Sequence, residues 1–281
     1  MILLLGKNGQ IGWELQRTLL SLGAFIALDR NELDLSDLEL LRKKVREIKP
    51  SIIVNAAAYT NVDQAEDNPT TAKVVNSDVP AVLAEETKRL GGLLVHYSTD
   101  YIFDGKKKSA YVEEDTPNPL NVYGETKLYG EKAIVDSGAF HIILRISWVY
   151  STRGNNFLLK MLDIAKRKKT IGVVADQFGK PTWSRFIAET TAQILQQRLF
   201  RHRFGIYNLA AGGRVSWCNL AQKIFLNAGI DVNVEPFASA CYPTKAARPK
   251  NSCLSTDKIV NEFGIVIPEW GDSLKIAMSE L

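Results

Sequence analysis

Gly6-Lys7-Asn8-Gly9-Gln10-Ile11-Gly12 constrains this chain more than any other stretch. Before it, Ile2–Leu5 is a continuous apolar run, the pattern of a strand buried on both faces. After it, Trp13, Leu15, Leu19 and Leu20 recur at helical spacing through residues 12–21. A glycine loop between a strand and a helix has a definite physical use. Gly6 permits a tight turn, Gly9 lets the backbone approach a pyrophosphate with no Cβ in the way, and Gly12 lets the helix lie close to the sheet. The helix N-terminus offers free N–H groups and partial positive charge to phosphate oxygens. The G-x-x-G-x-x-G spacing in that place predicts dinucleotide binding. Asp29, ending the second predicted strand, can hold adenosine ribose hydroxyls, whereas the adjacent Arg30 can meet a 2′-phosphate. The pair leaves NADPH and NADH both open.

The first half continues to alternate. Strands are expected at 24–28, 51–55, 93–98 and 141–146, and helices over Leu38–Ile48, Val79–Leu90 and Val122–Ser137. Such alternation implies right-handed βαβ units and a Rossmann-type, doubly wound parallel sheet of the α/β class. Past residue 150 the pattern loosens. Helices are expected at 157–168, 185–198 and 216–228, with short strands at Thr170–Val174 and 207–210, and prolines gather at Pro236, Pro243, Pro249 and Pro268. The expected organisation is a dinucleotide-binding domain over 1–150 and a smaller, mixed α/β C-terminal substrate lobe over 151–281, interleaved with the first.

Composition narrows the class. The 281 residues are 46% hydrophobic and 23% charged, which excludes a disordered chain, a fibre and a membrane-spanning protein. A net charge of +4 is too small to indicate nucleic acid or an anionic membrane. The three cysteines, Cys218, Cys241 and Cys253, are odd in number and lack CxxC spacing. They point to a reducing, cytoplasmic setting without structural zinc. The first five apolar residues lack a basic leader and a cleavage site, so a buried strand is expected there rather than a secretory signal.

The chemistry concentrates between His96 and Lys132. Ser98-Thr99-Asp100-Tyr101 leaves the C-terminal end of the fourth predicted strand, where open α/β sheets bind ligands. The next helix brings Tyr123 and Lys127, i and i+4, onto one face. That set suits carbonyl reduction. Hydride addition builds negative charge on the ketone oxygen, and a proton must be delivered there. A free phenol, with a pKa of about 10, is a poor donor. A neighbouring ammonium favours the phenolate, so Lys127 is expected to lower the pKa of Tyr123. Lys127 also has donors for a nicotinamide ribose, and the Thr99 hydroxyl can orient the carbonyl.

These motifs belong to a longer series: GKNGQIGWELQ at 6–16, VNAAAYTNVDQAE at 54–66, HYSTDYIFDG at 96–105, PLNVYGETKLYGE at 119–131, LRISWVY at 144–150, GNNF at 154–157, DQFGKPT at 176–182 and RPKNSCLST at 248–256. In that order and over nearly the whole chain, the sequence resembles the extended short-chain dehydrogenase/reductase family, and within it the dTDP-4-dehydrorhamnose reductases. The resemblance implies NADPH- or NADH-dependent reduction of a dTDP-linked 4-keto sugar, dTDP-4-dehydro-L-rhamnose, on the way to cell-surface polysaccharide. It implies Thr99, Tyr123 and Lys127 as the catalytic set. Gly9, Gln10 and Ile11 would follow the cofactor pyrophosphate, with Gly6 and Gly12 shaping the turn and Asp29 or Arg30 at the ribose. Asp34 and Leu35 would border the adenine, and Ala58, Tyr59, Thr60 and Tyr97 would line the cofactor pocket beside Tyr123 and Lys127. Thr99, Asp100 and Tyr101 would meet the sugar, Trp148 would pack on the nucleotide-sugar, and Arg248 would reach its diphosphate. A homodimer is compatible with this reading, and no metal is expected, Glu14 included.

Relatives with other activities remain as alternatives: an NADP-binding regulatory subunit of methionine adenosyltransferase, or a nucleotide-sugar epimerase or dehydratase. Dehydratases place Asp-Glu after the threonine, whereas here Thr99-Asp100 is followed by Tyr101. His96, His141 and His202 follow no catalytic or metal-ligand spacing and are expected to be structural or exposed. The basic runs at 106–108, at 166–169, and at Arg198, Arg201, His202 and Arg203 read as solvated faces.

Overall fold

Residues 1–199, 202–241 and 243–281 are described by a computed structural model; Arg201 of the third basic run lies outside them. Six strands form one parallel sheet: β1 (Ile2–Leu5), β2 (Phe25–Leu28), β3 (Ile52–Asn55), β4 (Leu93–Thr99), β5 (Phe140–Ile146) and β6 (Gly205–Leu209). Their spatial order is β6-β5-β4-β3-β1-β2. The chain steps outward from β1 to β2 and then crosses back to β3. The winding therefore reverses between β1 and β3, and a crevice opens beyond their carboxyl ends. The glycine loop follows β1 and residues 56–60 follow β3, so both border that crevice.

The sheet is covered on both sides, which explains the unbroken apolar strands. Successive side chains point to opposite faces. Ile2, Leu4, Val54, Leu93, Val95 and Tyr97 face a layer formed by α1 (Gln10–Thr18), α8 (Ser184–Gln196) and α10 (Asp257–Phe263). Leu3, Leu5, Ile53 and Leu94 face the other layer, with α2 (Leu38–Ile48), α5 (Val79–Leu90) and α6 (Val122–Ser137). Each fully buried leucine contributes roughly 1.5–3 kcal/mol. A third cluster around Met161, Ile171, Val173, Ile224, Phe225 and Leu274 joins α7 (Phe157–Ala165), α9 (Trp217–Ala228) and α11 (Trp270–Met278) in the second half.

Several elements differ from expectation. Helix α1 begins at Gln10 and gives way to a tight turn at Leu19–Leu22. Residues 62–78, to which the sequence pattern assigns no element, form α3 (Val62–Asp67), α4 (Pro69–Lys73) and a π-helical turn, Val74–Asp78, that runs directly into α5. Strand β6, from the second half, pairs with β5 and extends the main sheet. Asn233–Phe237 pairs with Thr170–Val174 despite Pro236, in a sheet of only two strands.

Candidate active site

The crevice at the winding reversal is a cleft of about 1200 Å³. At its floor the glycine loop is held by sterics. Gly6 adopts φ +82, and a Cβ on it would lie 2.8 Å from the Ala57 nitrogen. A Cβ on Gly12 would overlap the Gly6 carbonyl oxygen, so α1 packs closely because this residue has none. A Cβ on Gly9 would meet the Gly6 oxygen at 3.3 Å, a mild contact, so its lack of a side chain chiefly leaves room on the cleft side. The N-cap of α1, Gly9, has no side chain to satisfy the first turn, which leaves those N–H groups aimed into the cleft. Asn156 N-caps α7 and also donates to Gln10 Oε1 at 3.0 Å, tying the second half to this turn.

Most of the expected site residues line this cleft: Gly6, Gly9, Gln10, Ile11, Asp29, Arg30, Asp34 and Leu35 on one arm, Ala58, Tyr59 and Thr60 in the middle, and Thr99, Asp100, Tyr101, Tyr123 and Trp148 on the other. Asp29 is engaged locally, accepting from Asn8 Nδ2 at 2.6 Å and from the Asn31 backbone.

Tyr123 and Thr99 come together where β4 ends against the start of α6. Asn121 caps α6 by accepting from the Gly124 N–H at 2.8 Å. A Cβ on Gly124 would overlap the Tyr101 carbonyl oxygen, so this glycine lets the helix settle onto residues 100–102. The Tyr123 and Tyr101 rings meet edge to face with centroids 6.0 Å apart. Thr99 Oγ1 donates to Asp100 Oδ1 at 3.2 Å, and Ser147 donates to Asp100 Oδ2 at 2.9 Å. Burial raises the Asp100 carboxyl to about 6 against these hydrogen bonds.

The expectation that Lys127 lowers the Tyr123 pKa is corrected. Burial pushes the phenol up to about 12, a hydrogen bond with Thr99 works against that rise, and the Asp100 charge adds to it. Lys127 is fully buried and turned toward β4, where Nζ donates to the Tyr97 carbonyl at 2.6 Å and lies 3.1 Å from His96 Nε2. Burial lowers its pKa to about 8.

Tyr97 does not line the cleft. It lies on the α1/α8 face of β4, and its hydroxyl meets Thr191 Oγ1 at 2.8 Å. Two-residue alternation along β4 predicts this, since Val95 and Tyr97 share a face. Arg248 also stands outside the lining, with Nη1 and Nη2 donating to Asp63 at 3.1 and 2.6 Å.

Three contributors escaped the sequence reading. Trp217, first residue of α9, stacks on Trp148 with ring centroids 3.4 Å apart and planes 4° apart, and both line the cleft. Trp148 takes φ +44, and a Cβ on Gly179 would overlap its ring, so the indole is fixed from behind. Asn76, in the π-turn, accepts from the Tyr59 N–H at 2.9 Å and donates to Thr126 Oγ1 at 3.2 Å, bracing the 56–60 loop against α6. The third is His96. A tryptophan opening a helix was the only sequence signal among them. Among the described residues no cluster of three or more His, Cys, Asp or Glu side chains could hold a metal ion.

The RmlD substrate binding domain family matches the chain over residues 1–281. The dTDP-4-dehydrorhamnose reductase of Burkholderia thailandensis is 44% identical, covering 100% of this chain and 98% of its own, and that of Escherichia coli K12 is 42% identical, covering 100% and 97%. A dTDP-4-dehydrorhamnose reductase structure from Clostridium acetobutylicum superposes with TM-score 0.95 at 34% identity, covering 99% of this chain and 98% of that one. One from Bacillus anthracis, solved in complex with NADP, gives 0.92 at 34%, covering 100% and 99%. A UDP-glucose 4-epimerase from Thermus thermophilus, at 19% identity and TM-score 0.81, shares the fold. Matched from its first residue to its last, and with end-to-end relatives above two-fifths identity, the chain belongs to the RmlD family, that of the dTDP-4-dehydrorhamnose reductases.

Proposed function

We propose that this chain reduces the 4-keto group of dTDP-4-dehydro-L-rhamnose to dTDP-L-rhamnose with NADPH or NADH. The observation that carries the reading is one cleft in which a glycine-built, uncapped helix N-terminus stands at one end and Thr99 and Tyr123 meet at the other. The residues fit a dinucleotide: the Gly9 side of the loop is open, and the first turn of α1 presents unpaired N–H groups. A bound nicotinamide supplies the hydride.

The chain's own groups handle the rest. Tyr123, with its pKa raised to about 12, is protonated at neutral pH and donates from its hydroxyl to the oxygen on which charge develops. Thr99 hydrogen-bonds that oxygen and fixes its direction. Lys127, outside the cleft lining and held on the Tyr97 carbonyl and His96, reaches a cofactor ribose only by turning from that pair, and when protonated it places positive charge one helical turn from Tyr123. Asp100 and Tyr101 hold the sugar, and the Trp148–Trp217 pair gives its nucleotide a flat apolar surface. Arg248 reaches a substrate diphosphate only by releasing Asp63. A cytoplasmic setting fits the three free cysteines.

Mixing the purified protein with NADPH and dTDP-4-dehydro-L-rhamnose tests the reading through loss of reduced-nicotinamide absorbance. Steady loss that requires the sugar supports it. Turnover without added reductant, by protein carrying bound NAD⁺, would make the chain an epimerase or dehydratase instead. No oxidation at all, with capture of a methionine adenosyltransferase, would make it a regulatory subunit.

A further inference from the structure

Behind Tyr123 runs a line of three polar side chains, Asn55 at the end of β3, His96 on β4 and Lys127 on α6, each only 1% exposed. None of them lines the cleft. Asn55 and His96 are register partners across β3 and β4. The Ala57 N–H donates to Asn55 Oδ1 at 3.2 Å, which fixes the amide's orientation and turns its Nδ2 toward His96 Nδ1, 3.2 Å away. An amide nitrogen only donates, so Nδ1 accepts, and the neutral imidazole carries its proton on Nε2. Nε2 faces Lys127 Nζ at 3.1 Å. Two donors cannot share that contact, so Nζ accepts, and only an uncharged amine has the lone pair to do so. Its own hydrogen goes to the Tyr97 carbonyl at 2.6 Å. The opposite polarity, an ammonium donating to Nε2, would set Nδ1–H against the amide or, with the amide turned over, the amide against the Ala57 N–H. A charged imidazole is disfavoured as well, since burial holds His96 well below its ordinary pKa.

We propose that His96, oriented by Asn55, is a positioning residue that favours the uncharged amine of Lys127 over its ammonium and so sets the pH above which the lysine no longer serves as an ammonium. The proposal rests on the reductase reading for its functional consequence, not for its chemistry. The other groups that face Lys127 agree in direction or oppose weakly. Burial lowers its pKa to about 8, while Glu131, one turn along α6, raises it. Glu131 is itself neutralised by Arg145 of β5 at 2.8 Å. Reduction that needs the ammonium is therefore lost as pH rises through about 8, well before Tyr123 ionises.

The first test needs no substrate. The ring ¹⁵N and ¹³C shifts of the chain's three histidines, recorded above pH 8 on the full chain without cofactor, report each neutral tautomer. His96 is expected as the Nε2–H form, and an Nδ1–H form would overturn the proposal. The second test reads kcat/KM against pH. In Asn55→Asp the carboxylate accepts from Nδ1–H, so Nε2 becomes an acceptor and the ammonium is favoured. His96→Gln likewise can turn a carbonyl oxygen toward Nζ. Both variants are expected to move the alkaline limb upward by about one pH unit or more, a tenfold gain in ammonium at a pH above the limb. An unmoved limb in an active, folded variant would reduce His96 to a packing role. If neither variant folds, the native tautomer decides alone. If the wild type fails to reduce the sugar, the reductase reading falls while the tautomer result stands.

Discussion

Replacing Tyr123 with phenylalanine separates chemistry from folding in this cleft. The ring keeps its edge-to-face contact with Tyr101, 6.0 Å between centroids, because phenylalanine has the same outline. What leaves is one oxygen, hydrogen-bonded to Thr99 and raised to about 12 by burial. One neutral hydrogen bond contributes about 1 kcal/mol net, and the desolvation of the hydroxyl offsets part of that. The stability change is thus expected below about 1 kcal/mol, a melting shift of roughly 2–4 °C at most for a chain of this size. Catalysis loses its proton donor. General acid catalysis supplies about 10²–10⁴ in rate, or about 3–5 kcal/mol of barrier. The assay is steady-state turnover of the dTDP-linked 4-keto sugar beside thermal unfolding of the same preparation. kcat should fall at least about 100-fold with KM little changed. A kcat within tenfold of wild type in a folded variant would refute Tyr123 as the acid. A collapse in melting temperature would show that the hydroxyl serves packing.

Arg145→Met leaves Glu131 charged and buried, side chains 3% and 2% exposed in the native pair, and should cost about 3–5 kcal/mol in urea unfolding. Adding Glu131→Leu should recover part of that loss, and a double variant worse than the single would contradict the argument. Gly124→Ala adds a Cβ that overlaps the Tyr101 carbonyl oxygen, so α6 must back away. Displacing Tyr123 by about 1 Å should lower kcat/KM roughly 100-fold with far-UV circular dichroism preserved, and full activity would show that the helix yields elsewhere. Glu86 is held down to about 2, mainly by its hydrogen bond from Arg46 and then by Arg89. A carboxylate depressed on folding adds stability that is fully present above its ordinary value of 4.5 and is lost as pH falls toward 2. Glu86→Gln should flatten the pH dependence of stability in that window, and an unchanged acid limb would argue against it.

The glycine loop and the Tyr123–Lys127 spacing were legible because each is local: a few residues whose backbone freedom or helical spacing fixes their geometry. The strands were legible for a related reason, since a sheet covered on both faces selects unbroken apolar runs. The stretch at 62–78 was hidden because its π-turn inserts a residue into the helix and rotates its apolar face, so no single helical period fits it. Yet that turn places Asn76 between Tyr59 and α6. Strand β6 read as a strand, but its pairing with β5 across nearly sixty intervening residues is a tertiary choice that the local pattern does not carry. Tyr97 was within reach, because alternation along β4 sends it to the opposite face from His96. The protonation of Lys127 was not. Its environment is assembled from β3, β4 and α6, and a spacing of four says nothing of what stands behind the amine.

Transfer of deuterium from NADPH labelled at the transferring position of nicotinamide C4 tests the account most directly. With dTDP-4-dehydro-L-rhamnose as substrate, the dTDP-L-rhamnose formed should carry one deuterium, at C4 of the sugar, in a one-to-one ratio with NADPH oxidised. Product lacking deuterium at C4, or label retained on the nicotinamide while the sugar changes, would contradict it.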